Sequence, residues 1–329
     1  MGRIYARAML CRERYLLPRA WKTSVPVVSV GNISMGGTGK TPLSAYLLKW
    51  AARQGQRPVL LSRGYKSAPD KYPHPVHPGD HPGISGDEPI LLARSSPRAR
   101  VIVDPHRVRA AAWALERLSP TLFILDDGFQ HLRIQRDLNL VLLTEHDLGF
   151  GWDRPFPAGG WREGRQALKR ADAFLINLQG RELTSRIQGM AQERLQGFNK
   201  KIIFFDIQTH KLNQLGSGSR VRDIDNRPYV LVTSVAGASK ILSSAYDFLG
   251  YPPEKHLAYP DHHPLGERAI QDTIYWTRRH QVKDVVCTTK DAVKLRPVPE
   301  LNIWVMEPEP VFWEGGETEL QNYLSHCLG

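Results

Sequence analysis

The sequence has 329 residues with 44 Lys and Arg against 33 Asp and Glu, a formal net charge of +11 with histidine neutral. Its 41% hydrophobic and 23% charged content is ordinary globular usage and excludes a collagen-like, disordered or disulfide-scaffold chain, while the length predicts two domains of roughly 150 residues each. Three cysteines in no paired spacing (Cys11, Cys287, Cys327) and no apolar run near the ~18 residues that span a bilayer predict a cytoplasmic chain with neither zinc site nor membrane span. The charge favours an anionic partner, whether nucleic acid, acidic lipid or phosphorylated substrate.

Residues 1–24 set Arg3, Arg7, Arg12, Arg14, Arg19 and Lys22 among Ile4, Met9, Leu10, Tyr15, Leu16 and Leu17, the pattern of a short basic amphipathic helix. Such a helix lies in an anionic membrane interface or packs on its own domain, and the pattern serves either. Valine-rich residues 25–30 run into glycine-rich sequence, as a buried parallel strand entering a phosphate loop does. Residues 41–52 read as a helix and 58–62 as a second strand. The Pro-, His- and Gly-rich segment 67–86 is longer than an ordinary connection.

Apolar runs at 99–103, 122–125 and 138–143 alternate with helical stretches, predicting a parallel sheet covered on both faces. Beyond a Pro/Gly-rich stretch at 149–164, further strands are predicted at 173–177, 202–206, 229–233, 284–288 and 303–306. The expected fold is α/β: a P-loop NTPase-like parallel sheet domain over residues 1–150 and a second, smaller α/β domain over residues 151–329.

The sharpest local signal is Ser34-Met35-Gly36-Gly37-Thr38-Gly39-Lys40-Thr41, between a predicted strand and a predicted helix. Glycines let successive backbone N–H groups face phosphates, Lys40 reaches the β and γ phosphates, and the Thr41 hydroxyl can hold Mg2+. A strict Walker A has glycine where Ser34 stands; the three glycines at 36, 37 and 39 compensate. A guanine-reading Asn-Lys-x-Asp is lacking, since Thr289-Lys290-Asp291 places the aspartate one residue early, so guanine is disfavoured. The apolar run 122–125 ends in Asp126 and Asp127, the arrangement of a Walker B strand. Adjacent aspartates point different ways, so one holds Mg2+ and the other faces a loop, with Asp126 the first choice.

The motifs VGNISMGGTGKT, SRGY, GDEP, DDGFQH, PAGGWRE and DHH follow the order seen in the tetraacyldisaccharide 4'-kinase family, which the sequence closely resembles from about Val25 to about Leu295. The resemblance implies two α/β lobes, ATP and Mg2+ as cofactors, and γ-phosphoryl transfer to the 4'-hydroxyl of a tetraacylated disaccharide 1-phosphate, the lipid A precursor of Gram-negative lipopolysaccharide. It makes Asp87 of GDEP the catalytic base and His262 its dyad partner from the other lobe, closing over both substrates. His263 has no role in that scheme. Glu163 of PAGGWRE becomes a candidate second Mg2+ ligand.

Glu88, Arg63, Gln130, His131 and Arg107 are candidate contacts to substrate, the guanidinium groups matching phosphate in bidentate fashion. Without the resemblance, Asp87 and Glu88 read equally well as the cap of a helix starting at Pro89. The stretch after Val235 departs from the family pattern, and the N-terminus is more arginine-rich and less apolar than is usual there. Peripheral attachment to the anionic inner face of the cytoplasmic membrane is therefore expected, with no obligate protein partner. Scattered arginines without stacking aromatics argue against nucleic acid. The competing reading is a P-loop NTPase that switches or assembles a partner and has no small-molecule acceptor.

Overall fold

The computed structural model describes residues 2–328. The first helix is α1 (Gly2–Leu16), followed by β1 (Val27–Asn32), α2 (Lys40–Arg53) and β2 (Pro58–Ser62). Segment 67–86 forms a two-residue edge strand, β3 (His74–Pro75), and a turn of helix, α3 (Pro82–Ser85). Asp80 pins it by accepting from the His77 amide at 2.9 Å and the Ser85 hydroxyl at 2.5 Å. Next come α4 (Asp87–Ser95), β4 (Arg100–Val103), α5 (Arg107–Leu118), β5 (Leu122–Asp126), β6 (Leu138–Thr144), α6 (Glu145–Leu148), β7 (Ala173–Asn177), α7 (Ser185–Leu195) and the long β8 (Lys201–Gln214). The remainder is β9 (Arg220–Val221), β10 (Tyr229–Thr233), α8 (Ala238–Leu249), β11 (Lys255–Ala258), α9 (Glu267–Arg279), β12 (Asp284–Thr288), α10 (Thr289–Ala292), β13 (Asn302–Phe312) and α11 (Gly316–Leu328).

All the strands join one 13-stranded sheet in the order β11-β10-β12-β13-β8-β7-β6-β1-β5-β2-β4-β3, with β9 paired to β8. Two mainly parallel blocks, with β3 antiparallel at one edge and β9 antiparallel on β8, are sewn together by an antiparallel seam between β8 and β13, which starts at Phe205–Phe312 and runs to Gln214–Trp304 with a bulge between Met306 and Pro308. The sheet runs on past residue 150, since β7 and the first half of β8 extend the first block in parallel register with β6. Central strands such as β1, β5 and β6 are buried at every position, which is why they read as continuous apolar runs rather than alternating ones.

Each face of the first block has its own core. Leu43, Leu47, Ile90 and Leu324 bring α2, α4 and α11 onto one side, and Ala110, Ala111 and Ala114 bring α5 onto the other. The second block is likewise covered twice, through Ala269 of α9 and Ala245 of α8. Strand β1 lies between β5 and β6 although β2 follows it in sequence. Chain connections leave in opposite directions there, and in an open α/β sheet that crevice at the carboxyl ends of the strands is where ligands bind.

Candidate functional site

A cleft of about 2590 Å³ opens at that edge and takes its walls from both blocks and from α1. Its floor is the phosphate loop. Gly39, at φ +92°, is the N-cap of α2 and supplies no side-chain cap, so the first amides of the helix point into the cleft. The loop is braced from outside: Asn177 Nδ2 donates to the Thr38 carbonyl at 3.0 Å and Gln179 Nε2 to that of Gly37 at 3.2 Å. Its start is held by the PAGGWRE segment, where the Met35 amide bonds Gly160 and the Arg162 amide bonds Ile33. The Ser34 hydroxyl donates to buried Asp147 at 3.2 Å, so the residue that departs from a strict Walker A is part of this bracing.

The two aspartates after β5 part ways. Asp126 is 5% exposed and accepts from the Ser44 hydroxyl at 3.1 Å; burial, then the charges of Glu88 and Asp127, pushes its carboxyl up to about 6. Asp127, at φ +47°, turns toward cations. Burial works to raise it, but Lys40 at 3.5 Å and Arg162 at 2.9 Å outweigh that and hold it below the usual carboxylate range. Thr41 lines the same floor. Thr41, Asp126 and Asp127 are hard oxygen donors, and Asp126 is a buried carboxylate whose side chain forms no ion pair within 4.0 Å among the described residues, which suits Mg2+. No three His, Cys, Asp or Glu side chains converge into a self-sufficient metal site among the described residues.

Glu163 is elsewhere. Its carboxylate is 2% exposed and is bound through both oxygens by Arg170, which also pairs with Glu13 of α1 and lies over the Phe129 ring. A carboxylate so neutralised and outside the cleft wall is no Mg2+ ligand here; it fastens α1 to the first block. The neighbouring Arg162 reaches the cleft instead, binding both Asp127 oxygens and Gln130 Oε1.

Asp87 opens α4, where a helix N-terminus favours negative charge, and Gly86 before it takes φ +85°. His262, itself at φ +63°, approaches from the second block and places Nδ1 3.2 Å from Asp87 Oδ2. Residues far apart in sequence thus meet as a carboxylate–imidazole pair on the cleft wall. His263 turns away and stacks on Tyr259 at 5.1 Å. Glu88 is paired with Lys290 at 2.5 Å, and buried Asp291 caps its own helix with Thr288, so the Thr-Lys-Asp stretch serves the lobe contact and not a guanine base.

Arg107 is 5% exposed, donates Nη2 to the Asp126 carbonyl at 2.9 Å and leaves Nε without a partner. His131 also has a buried Nε2 without a partner; burial, then Arg107 and Arg136, pulls its imidazole down to about 3. Arg63 lines the cleft in the same region, and Gln130 donates to the Asn32 carbonyl at 2.8 Å. Sequence reading missed Arg162, Lys290 and Asn177 as cleft residues, and Lys294 behind Asp87; the unclaimed i, i+4 lysine pair Lys290 and Lys294 was the available signal.

A family model described as tetraacyldisaccharide-1-P 4'-kinase (LpxK) matches residues 1–328. The tetraacyldisaccharide 4'-kinase of Nitratidesulfovibrio vulgaris is 40% identical over 314 residues, covering 94% of this chain and 87% of that protein. That of Oleidesulfovibrio alaskensis is 40% identical over 310 residues, covering 92% and 83%. Among solved structures, LpxK from Aquifex aeolicus in complex with ATP superposes with a TM-score of 0.77 at 27% identity, covering 100% of this chain and 97% of that one. The chain belongs to the tetraacyldisaccharide 4'-kinase family.

Proposed function

We propose that this kinase moves the γ-phosphoryl group of ATP to the 4'-hydroxyl of a tetraacylated glucosamine disaccharide 1-phosphate, at the anionic inner face of the cytoplasmic membrane of a Gram-negative bacterium. The carrying observation is the Asp87–His262 pair across the cleft from a braced phosphate loop. The amides of residues 36–41 and Lys40 hold the triphosphate, and Thr41 with Asp126 and Asp127 would hold Mg2+, which supplies positive charge to the phosphate oxygens. Asp87 takes the hydroxyl proton as the 4'-oxygen bonds to phosphorus and the bond to the ADP oxygen breaks. His262 holds that carboxylate in place.

Arg107, His131 and Arg63, with two buried nitrogens lacking protein partners, form the acceptor's anion-binding side. Strands β8 and β13 are the connection about which the two lobes close, excluding water. Helix α1, whose Tyr5, Met9 and Leu16 line the cleft mouth, meets the acyl chains.

Incubation with labelled ATP and the disaccharide 1-phosphate should put label on the lipid. Asp87→Asn should lower turnover by about 10²- to 10⁴-fold while ATP binding is retained, and His262→Ala should also lose turnover. Release of inorganic phosphate at the same rate without lipid would favour the switch NTPase instead.

A further inference from the structure

Beyond His262, a lysine from the far lobe reaches the same Asp87 oxygen. The Lys294 side chain is 4% exposed and sets Nζ 3.2 Å from Asp87 Oδ2. Its ammonium also donates to the Ser234 hydroxyl at 3.0 Å. Ser234 is itself fixed, donating its hydroxyl and its amide to the fully buried Asp291 at 2.6 and 2.8 Å. The same short segment carries the dyad's other half: the His262 amide donates to the Ser234 carbonyl at 3.1 Å, and the Ala236 amide to Asp261 at 3.0 Å.

Both cross-lobe contacts fall on Oδ2, while Oδ1 accepts no hydrogen bond among the described residues. One oxygen is a handle, and the other belongs to a side chain that lines the cleft and is left free of protein partners there. A lysine this buried is stable only when paired, and here the pairing crosses between lobes.

We infer that Lys294 is a positioning residue for the transfer, carrying the Asp87 carboxylate onto the Ser234 segment so that Oδ1 faces the acceptor hydroxyl. The inference rests on the reading of Asp87 as the base. Ser234 to Ala236, just after β10, is the shared bracket for Lys294, His262 and Asp261.

The test is a double-mutant cycle in the transfer assay with ATP and the disaccharide 1-phosphate, with ATP affinity and Tm measured for each variant. Lys294→Met should lower kcat by about 10- to 100-fold while KM for ATP stays within about twofold, and Lys294→Arg should recover about fivefold or more. In the Asp87→Asn background the same Lys294→Met change should add less than about threefold, because Lys294 acts through Asp87. If Lys294→Met does not fold, Lys294→Gln, which keeps a donor to Ser234, carries the same expectations.

Wild-type turnover in Lys294→Met, or an equal loss in both backgrounds, overturns the positioning role and leaves the base reading standing. Wild-type turnover in Asp87→Asn alone overturns the base, and the positioning role with it.

Discussion

Two adjacent carboxylates in the cleft end with opposite proton affinities, because their chain directions differ. Asp126 continues β5 into the interior and meets a serine hydroxyl, while Asp127 turns through a positive φ toward Lys40 and Arg162. Asp126 holds its proton to about 6 when folded, against 3.8 without the fold. Its contribution to stability is therefore fully present below about 3.8 and is lost as pH rises through about 6. That gap corresponds to roughly 3 kcal/mol at pH 8 in the absence of metal. Asp126→Asn should accordingly raise Tm by a few degrees at pH 8 in chelator, and the advantage should vanish near pH 4. Thermal melts across that range decide it: a difference independent of pH would mean that Asp126 ionises at no cost. If Asp126 holds Mg2+ as proposed, turnover with Mg2+ should fall in the same variant.

At the level of elements, the phosphate loop separates two jobs that glycine can do. At Gly39 a Cβ would sit 2.8 Å from Asn177 Nδ2 on a backbone at φ +92°, so the residue is required by the fold. At Gly37 a Cβ would meet nothing within 4 Å, and its φ is not positive, so the protein alone tolerates a side chain. Gly39→Ala should cost about 1–2 kcal/mol of stability and weaken ATP binding tenfold or more. Gly37→Ala should leave Tm unchanged and weaken ATP binding only, reporting close approach of the phosphates. Calorimetric titration and melts of the two variants check this, and a matching Tm loss in Gly37→Ala would contradict it.

The same element scale shows what could be read from sequence. Strands 58–62, 173–177, 229–233 and 284–288 are continuous apolar runs because both faces are covered, and periodicity alone locates them. The second halves of β8 and β13 escaped because residues such as His210, Lys211, Pro308 and Pro310 lie in a half-buried seam whose partner is remote in sequence. Strand pairing across that seam joins the two blocks into one sheet, a link that no short-range pattern announces. In the site, the glycines and the aspartate pair announce themselves by spacing, and Asp87 is marked out only by the family resemblance. Arg162, Lys290 and Lys294 do not, because a charged residue after a turn looks like a solvated face until its partner is known. Glu163 misled for the converse reason: Arg170 neutralises it, and nothing in PAGGWRE says so.

On the scale of the whole molecule, helix α1 mounts a basic face beside the cleft. Helix α1 exposes Arg3, Arg7, Arg12 and Arg14 together with Ile4 at 72% and Tyr15 at 61%. It is not a loose arm, since Glu13 pairs with Arg170 and a Cβ on Gly2 would meet the Pro155 carbonyl at 2.9 Å. No helix among the described residues is long and apolar enough to cross a membrane. A rigidly mounted basic face with two exposed apolar side chains predicts binding driven mainly by anionic lipid, each arginine near the surface contributing about 1 kcal/mol. The triple change of Arg3, Arg7 and Arg14 to Gln should then lower partition onto phosphatidylglycerol-containing vesicles by about two orders of magnitude. Binding of the unaltered protein should weaken steeply between about 0.1 and 0.5 M salt, where the screening length shortens. ATP affinity should be unchanged in the triple variant, because none of the three arginines borders the phosphate loop. Vesicle co-sedimentation separates the cases: partition equal on neutral and anionic vesicles would assign attachment to Ile4 and Tyr15, and none on either would leave α1 as a wall of the cleft alone.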